Sequence, residues 1–325
     1  MKAVVCTKYG PPEVLQIQEI EKPLPKENEV LVKIHATTVT IADTRVRGFK
    51  VPLSFWLPAR IALGFSRPKL SILGTEFAGV IESVGKDVKL FKVGDAVFGN
   101  TGHSRFGCYA EYLSLAETGC IAQKPDILSF EQAAAITFGG NTALQFLRKA
   151  TIKPGDAILI YGASGSVGTF AVQIAHYLGA EVTGVCSTGN LEMVKSIGAD
   201  EVIDYLKTDF SKAGKKYDYI FDTVGKSPVR KSIKALKPTG TYIQALSTPA
   251  KMFQMRLSLF ASKKKLIGGS FTPNVEQIKF LKKLVEEGAI RPIIDRSYPF
   301  DQIVEAHRYV DKGHKKGNVT ISVQN

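Results

Sequence analysis

The chain has 325 residues, of which 44% are hydrophobic and 22% charged, a composition typical of globular proteins rather than disordered or fibrous ones. This length exceeds one ordinary hydrophobic core, so we expect two domains of about 150 residues each. The formal net charge of +13 comes from scattered lysine clusters without an aromatic-basic RNA motif or zinc-finger pattern, which favours a solvated basic surface over a nucleic-acid site.

The N-terminus and the cysteines indicate a reduced protein that is not secreted. The chain enters a Gly-Pro-Pro turn soon after Met1, without the apolar run of a signal peptide, so we expect a cytoplasmic location. No two cysteines have the short spacing that a structural zinc site or a redox pair requires; they are Cys6, Cys108, Cys120 and Cys186.

Short strands punctuated by turns predict a β-rich unit over the first 120 residues. We place these strands at Lys2–Thr7, Val30–Thr38, Glu76–Val84, Ala96–Phe98 and Tyr109–Leu113.

The most apolar stretch, Val51 to Phe65, is too short for a membrane span, which needs about 20 residues. We therefore expect no membrane partner. We interpret the segment from Val51 to Pro68 as a loop or short helix that covers a cleft. It could be a lid, a dimer contact, or the apolar wall of a substrate pocket, formed by Phe55, Trp56, Leu57 and Phe65.

Helical apolar spacing begins at Phe130 and runs to Lys149, and the next 120 residues alternate apolar strands with helices. This alternation is typical of a doubly wound parallel sheet. We predict six strands, the number in a complete dinucleotide-binding fold, at Ala157–Tyr161, Glu181–Cys186, Glu201–Asp204, Tyr219–Asp222, Gly240–Ala245 and Lys265–Gly269. The tail adds helices at Val275–Glu287 and near Asp301–Val310, and a last strand, Asn318–Val323, that could return to the N-terminal unit.

A glycine-rich turn follows the strand Ala157–Tyr161 and leads into a helix. Gly165 would let the backbone approach a pyrophosphate, and Gly168 would allow close packing of the helix. The helix N-terminus would add free amides and a positive dipole end. This predicts a dinucleotide site, with a turn that binds nothing as the alternative; its residues are Ala163, Ser164, Gly165, Ser166, Val167 and Gly168.

The end of the second predicted strand indicates which dinucleotide binds. NAD sites place an acidic residue there, about 20 residues after the glycines, to bind the ribose hydroxyls. Here the sequence is Ser187-Thr188-Gly189-Asn190, whose hydroxyls can accept a 2′-phosphate without charge repulsion. We therefore expect NADPH as the cofactor.

Several separated motifs, together with this glycine turn, resemble the medium-chain dehydrogenase/reductase superfamily and its zinc-independent quinone oxidoreductase branch. They are Gly74 to Gly85 (GTEFAGVIESVG), Val93 to Val97 (VGDAV), Ile152 to Asp156 (IKPGD) and Gly198 to Tyr205 (GADEVIDY). The resemblance covers the whole chain. It implies a GroES-like β-barrel catalytic domain (1–122 and 272–325), an inserted Rossmann NADP-binding domain (123–271), an active site in the cleft between them, and a homodimer.

The zinc-binding members of that superfamily hold a catalytic zinc with a cysteine and a histidine, whose places are taken here by Thr40 and Thr75. Two hydroxyls cannot replace a thiolate and an imidazole. Glu76 is then expected to be a polar-network residue rather than a metal ligand. We therefore expect no metal, and hydride addition to an enone or quinone, where a hydrogen bond can hold the developing oxyanion.

The resemblance also implies roles for individual residues. The substrate carbonyl is expected to contact Thr40 and either Arg45 or Arg47, although both arginines could instead face solvent or support the loop. Further residues are expected near the cofactor: Thr142, Ala245, Leu246 and Ser247 towards the nicotinamide, Ser187, Thr188 and Tyr205 at the 2′-phosphate, and Phe271, Lys316 and Asn318 in the segments that close over it. His103 is expected to be a loop residue without a catalytic role.

Together these features predict a zinc-independent NADPH oxidoreductase that reduces quinones or α,β-unsaturated carbonyls. Two alternatives remain open at this point. One is a dedicated enoyl reductase of a metabolic pathway, and the other is a non-catalytic NADPH-sensing or RNA-binding protein on the same fold.

Overall fold

The computed structural model describes residues 1–51, 56–102, 105–245, 255, 263–269 and 271–324. The chain divides into two compact units. The first contains Met1–Phe138, Pro273–Glu286 and Pro292–Asn325, and the second contains Gly139–Thr272 and Glu287–Arg291. The boundaries predicted from the sequence differ from this division at residues 123–138, 272 and 287–291.

The first unit is rich in β structure. Its strands are β1 (Lys2–Cys6), β2 (Leu15–Glu19), β3 (Glu29–Thr38), β4 (Glu76–Val84), β5 (Ala96–Asn100), β6 (Tyr112–Ala116) and β7 (Ile121–Gln123), joined by β14 (Ile294–Pro299) and β15 (Asn318–Ser322) from the tail. β1 and β2 form an antiparallel pair. The others form one sheet in the order β14-β15-β3-β4-β5-β7, with β6 also paired to β3.

The long strand β3 organises this sheet because it pairs with β4, β6 and β15. Its alternate residues Val30, Val32 and Ile34 enter the core of the unit, as the period of two in a strand requires. The expected return of the last strand is confirmed, since β15 pairs antiparallel with the end of β3.

The second unit contains the parallel sheet. Its strands are β8 (Ala157–Tyr161), β9 (Glu181–Cys186), β10 (Glu201–Asp204), β11 (Tyr217–Asp222), β12 (Leu236–Gln244) and β13 (Lys265–Gly268). They are ordered β10-β9-β8-β11-β12-β13, and every pair is parallel. In chain order this is the 3-2-1-4-5-6 arrangement of a complete Rossmann sheet. The predicted doubly wound fold is confirmed.

Helices in the described ranges lie between these strands in the chain. They are α1 (Ile41–Arg47), α2 (Trp56–Leu63), α3 (Phe130–Ala134), α4 (Thr137–Ala150), α5 (Ser166–Tyr177), α6 (Leu191–Ser196), α7 (Val229–Ala235), α8 (Val275–Glu286) and α9 (Ile303–Asp311). Among the helices in the described ranges, none is both long and apolar enough to cross a membrane.

Two differences between the predicted and the observed elements have a local physical cause. The single helix expected from Phe130 to Lys149 is two helices, α3 and α4, because the chain tightens into a turn at Ala135 and Ile136. The apolar spacing continues through this turn, so the pattern gives no sign of it. The strand expected at 109–113 begins only at Tyr112, since Tyr109 instead bonds to the backbones of Val4 and Leu73.

Candidate functional site

The glycine turn after β8 brings two stretches of backbone into contact. A Cβ placed on Gly168 would lie 2.1 Å from the carbonyl oxygen of Gly162, so the helix can start this close to the turn only without a side chain there. At Gly165 the nearest atom to such a Cβ is 3.5 Å away, which leaves the space over its backbone open. The turn therefore has one position closed by the protein itself and one open to a ligand.

Helix α5 begins at this turn without a side-chain cap. Its N-cap is Gly165, which has no side chain to accept a hydrogen bond from the first amides. The first amides of a helix have no acceptor within it, and the helix dipole places positive charge there. Of the predicted residues, Ser166, Val167 and Gly168 lie in this first turn, and Ala163 and Ser164 lie in the loop before it. This geometry fits an anionic pyrophosphate.

A polar cluster lies where β9 ends, next to the same loop. The side-chain amide of Asn190 donates to Ser164 Oγ at 3.0 Å and to Ser187 Oγ at 3.2 Å, which ties the loop to the predicted 2′-phosphate residues. Tyr205 is 45% exposed, and its backbone amide bonds to Cys186 at the end of β9. The role of Asn190 was not predicted, although it closes the Ser-Thr-Gly-Asn run that drew attention to this turn.

The same cluster contains a carboxylate that the sequence analysis did not connect to it. Thr188 donates its hydroxyl proton to Asp204, and this hydrogen bond lowers the pKa of the Asp204 carboxyl. Lys207 lies 4.0 Å from the same carboxylate. Asp204 ends β10 directly beside Cys186 of β9. Only strand pairing reveals this contact, because the two residues are far apart in the sequence.

The other residues predicted to bind the cofactor have varied surroundings. In the second unit, Thr142 and Ala245 are buried and Phe271 is half-buried. In the first unit, Asn318 is buried and donates its side-chain amide to the carbonyl of Ile293 at 3.1 Å, whereas Lys316 is exposed. Of the residues named in the sequence analysis, four lie outside the described ranges: Leu246, Ser247, His103 and Phe55.

Thr40, predicted to contact the substrate carbonyl, has an internal role. It is the N-cap of α1, where its hydroxyl accepts from the Asp43 amide and its own amide donates to the Asp43 carboxylate. The Thr40 hydroxyl also donates to that carboxylate at 2.6 Å, and the side chain is only 5% exposed. The hydroxyl proton of Thr40 is therefore committed to Asp43, and the contact of Thr40 with the substrate carbonyl stays a prediction.

The two arginines of α1 differ sharply. Arg47 is 1% exposed, forms an ion pair with Asp311 at the end of α9 and donates to the carbonyl of Gly10. It joins α1 to α9, which is the supporting role that the sequence left open for either arginine. Arg45 is half-buried, and its guanidinium makes no hydrogen bond or ion pair with any residue in the described ranges. Burial lowers the pKa of Arg45. Arg45 is thus the predicted cation that remains available to a ligand.

A buried polar chain lies behind α1. Asp43 is hydrogen-bonded to Tyr109, whose hydroxyl lies 3.2 Å from Nε2 of His307. All three residues are fully buried. Burial, with a smaller contribution from Arg47, lowers the pKa of His307 to about 3, so the imidazole is neutral at physiological pH. Sequence spacing gives no sign of this contact, because 198 residues separate His307 from Tyr109.

Glu76 is a second buried centre, as expected for a polar-network residue. It accepts hydrogen bonds from the hydroxyls of Thr38 and Thr137 and from the amide of Phe138. Burial outweighs these bonds and raises the pKa of Glu76 to about 7. The neighbouring Thr75 hydroxyl is buried and has no hydrogen-bond partner in the described part of the chain. This donor set of hydroxyls and a bonded carboxyl does not resemble a zinc site.

Comparisons with known proteins agree with this architecture. Residues 26–126 match the family model of the alcohol dehydrogenase GroES-like domain, and residues 197–321 match that of the zinc-binding dehydrogenases. The chain is 34% identical to 2-methylene-furan-3-one reductase of Solanum lycopersicum and 31% identical to an NADPH-dependent alkenal/one oxidoreductase of Arabidopsis thaliana, in each case over 99% of this chain and 79% of the relative. The quinone oxidoreductase of Coxiella burnetii has a similar structure, with a TM-score of 0.89, 32% identity, and coverage of 100% and 99% of the two chains.

A GroES-like unit joined to a Rossmann unit with an open dinucleotide turn defines a nicotinamide-dependent oxidoreductase. The chain belongs to the medium-chain dehydrogenase/reductase superfamily, in its quinone oxidoreductase-like branch. The predicted family and fold class are confirmed. The non-catalytic alternative is not retained.

The glycine turn yields a paired test. Gly168→Ala forces a methyl group against backbone that cannot move aside, so it should lower the free energy of unfolding by about 1–3 kcal/mol. Gly165→Ala meets no such obstacle and should unfold like the wild type, yet bind NADPH more weakly because its methyl occupies the open space. Urea unfolding and NADPH fluorescence titration measure the two effects. Unchanged affinity in Gly165→Ala would place the pyrophosphate elsewhere.

The buried imidazole predicts a dependence of stability on pH. The unfolded chain protonates His307 below its ordinary pKa of 6.5, whereas the folded chain does so only near 3, so the folded state loses stability as the pH falls through this window. Between pH 7.5 and pH 5 the wild type should lose about 2 kcal/mol relative to His307→Gln. The free energy of unfolding of both proteins is measured in urea at each pH. Glu76 contributes to stability with the opposite dependence on pH, and this contribution cancels in the difference between the two proteins. A difference that does not change with pH would contradict the assignment.

Proposed function

We propose that this protein is an NADPH-dependent reductase of α,β-unsaturated carbonyls and quinones that works without zinc. The observation that carries the proposal is the open backbone at Gly165, at the uncapped start of α5, directly after the first strand of a complete Rossmann sheet. When bound, the reduced nicotinamide supplies the hydride. The protein must then bind the cofactor, orient the substrate and hold the charge that develops on it.

The polar cluster at the end of β9 supports NADPH over NADH. Ser187 stands where an NAD site would have a carboxylate, and Asn190 holds its hydroxyl next to the glycine turn. Asp204 contributes an acid to this cluster, but its carboxylate is bonded to Thr188 and has Lys207 4.0 Å away. The exposed Tyr205 hydroxyl and the Lys207 ammonium are further groups that can bind a 2′-phosphate.

The donor chemistry of the first unit argues against a catalytic zinc. The positions of the two zinc ligands carry the hydroxyls of Thr40 and Thr75, and burial raises the pKa of the nearby Cys108 thiol, which disfavours a thiolate. Across the described ranges, no three His, Cys, Asp or Glu side chains are grouped so that they could hold a metal ion. Zinc does not fit these residues, although one matched family model carries its name.

A cation can stabilise the negatively charged oxygen of the reacting substrate, as zinc does in the oxidation of an alcohol. Hydride addition to the β-carbon of an enone, or to a quinone, moves negative charge onto a carbonyl oxygen. Arg45 is half-buried and has no internal partner in the described chain, so its guanidinium is the group that we assign to this oxygen. The names of the relatives, which specify a furanone, alkenals and quinones, support the same class of acceptor.

Substitutions of the two arginines of α1 should affect different properties, activity for Arg45 and stability for Arg47. Arg45→Met should lower kcat/KM for an enone about 100-fold, since it removes the donor to the developing oxyanion, with little change in stability. Arg47→Met should instead lower the free energy of unfolding by about 3 kcal/mol, because it leaves Asp311 without its buried partner. Steady-state kinetics and urea unfolding distinguish them. Normal kinetics in Arg45→Met with every enone and quinone tested would remove Arg45 from the proposal.

The activity itself is tested by following NADPH oxidation with a short α,β-unsaturated aldehyde, a cyclic enone, p-benzoquinone and a simple alcohol or its ketone. We expect turnover with the conjugated acceptors only, unchanged after dialysis against EDTA and at least about tenfold faster in kcat/KM with NADPH than with NADH. Turnover of the alcohol that chelation abolishes and zinc restores would contradict the proposal.

A charge placed at Ser187 tests the cofactor preference within the same assay. Ser187→Asp should raise the KM for NADPH and reduce or reverse the preference over NADH, because a carboxylate there repels the 2′-phosphate. Ser196→Asp, in α6 of the same unit, is the matched control, since it adds the same charge on an exposed helix position. Equal effects of the two substitutions would show that Ser187 does not face the 2′-phosphate.

A further inference from the structure

Helix α2 presents apolar side chains outward. None of its eight residues is buried. Leu57 and Ile61, one turn apart, are 56% and 57% exposed, and Phe65, just after the helix, is 63% exposed. Single exposed apolar residues are common on proteins, but a continuous apolar face of this kind marks an interaction surface. We call Leu57, Ile61 and Phe65 the outer face of α2.

The charged residue of the helix points the other way. The guanidinium carbon of Arg60 lies 3.7 Å from the ring centre of Phe49, 4.9 Å from that of Tyr9 and 5.1 Å from that of Trp56. Cation–π contacts of this kind hold the inner side of the helix on the first unit. The pattern is therefore the reverse of an ordinary surface helix, whose charges face solvent and whose apolar side faces the core.

Hydrogen bonds fix the C-terminal end of α2 in the same orientation. The hydroxyl of Tyr9 donates to the carbonyl of Leu63 at 2.9 Å, and Nζ of Lys69 donates to the carbonyl of Ile61 at 2.6 Å. The amide of Lys69 also bonds to Leu63. These hydrogen bonds fix the orientation of the C-terminal end of α2.

The exposed charges that follow this face in the chain are positive, whereas Arg47 is buried and, like Lys50, pairs with Asp311, and Arg60 lies on the inner side of α2. From Thr44 to Thr75 the sequence contains no aspartate or glutamate and six cations, which are Arg45, Arg47, Lys50, Arg60, Arg67 and Lys69. Arg67 and Lys69 are exposed and follow Phe65 closely in the chain. Exposed apolar side chains flanked by lysine and arginine are the combination that binds the interface of an anionic membrane, where the chains enter the acyl boundary and the cations meet the headgroups.

The same charge argues against other occupants. A second copy docked symmetrically through this face would bring identical cations together and oppose them with no carboxylate of the same segment. A nucleic acid would satisfy the cations but offers no apolar phase to Leu57, Ile61 and Phe65. An anionic lipid surface satisfies both.

We propose that the outer face of α2, with Arg67 and Lys69, docks the protein peripherally on membranes that contain anionic lipid. The interaction lies in the interfacial layer and requires no spanning helix. It is independent of the proposed reductase chemistry, because none of these contacts involves the glycine turn or the α1 network.

Trp56 makes the proposal directly measurable, because it is the only tryptophan in the chain and lies on α2. The full-length protein is titrated with vesicles of phosphatidylcholine alone and with vesicles that also contain phosphatidylglycerol. We expect a blue shift of Trp56 emission and cosedimentation with the anionic vesicles only, at about tenfold or higher affinity, given about fivefold for each exposed cation. High salt should weaken the binding through screening.

Substitutions on the outer face provide the decisive comparison. The double variant Ile61→Ser with Phe65→Ser should lower vesicle affinity about tenfold or more, because it removes the apolar area that enters the bilayer. Leu90→Ser is the matched control, since Leu90 is 63% exposed in the same unit, and should bind like the wild type. Thermal unfolding of each variant confirms that the fold is intact.

Three results would overturn the proposal. The first is no binding to anionic vesicles at low salt, or binding that the double variant leaves unchanged. The second is a concentration-dependent dimer in analytical ultracentrifugation that the double variant abolishes, which would assign the face to a second copy. The third is a raised KM for a water-soluble enone in Ile61→Ser without vesicles, which would assign it to the substrate. Because these results do not depend on cofactor preference, they are distinguishable from failure of the reductase proposal.

Discussion

The contact between Gly168 and the carbonyl of Gly162 is the constraint on which the proposed cofactor site depends. It allows α5 to begin immediately above the end of β8, and so aims uncapped amides and the positive end of the helix at the space over Gly165. A side chain at Gly168 would push the helix away, whereas a side chain at Gly165 would leave the fold in place and fill the site. Two glycines three residues apart thus have different surroundings, since backbone closes the space at Gly168 and leaves it open at Gly165.

In the first unit, hydroxyl side chains stand at the two positions that the family resemblance relates to zinc ligands. Thr40 is absorbed into the cap of α1, where it supports Asp43, and Asp43 in turn connects to Tyr109 and His307. This network is buried and neutral at its far end, so it stabilises α1 rather than exchanging protons with solvent. Arg47 reinforces the helix from the other side through Asp311, which leaves Arg45 as the cation on α1 without an internal partner in the described chain.

Helix α2 turns its charged residue inward and its apolar residues outward, which is the reverse of an ordinary surface helix. Arg60 faces inward because cation–π contacts with three aromatic rings compensate for its partial burial. The apolar residues Leu57 and Ile61 are left exposed. Ordinary folding energetics gives no reason for this arrangement, since exposed leucine, isoleucine and phenylalanine contribute little to the stability of a monomer. The proposed docking on an anionic membrane provides such a reason, because the apolar acyl region lies beneath negatively charged headgroups.

The sequence by itself determined the periodic elements and the glycine turn. The strands β8, β9 and β10 were predicted to the residue, because buried parallel strands and their turns are encoded locally. Local pattern could not reveal that Asp204 meets Thr188, that Tyr109 meets His307, or that Arg47 pairs with Asp311. These contacts join residues from separate elements, so only strand pairing and helix packing decide them. The same holds for Arg60, whose inward orientation depends on rings that three different segments supply.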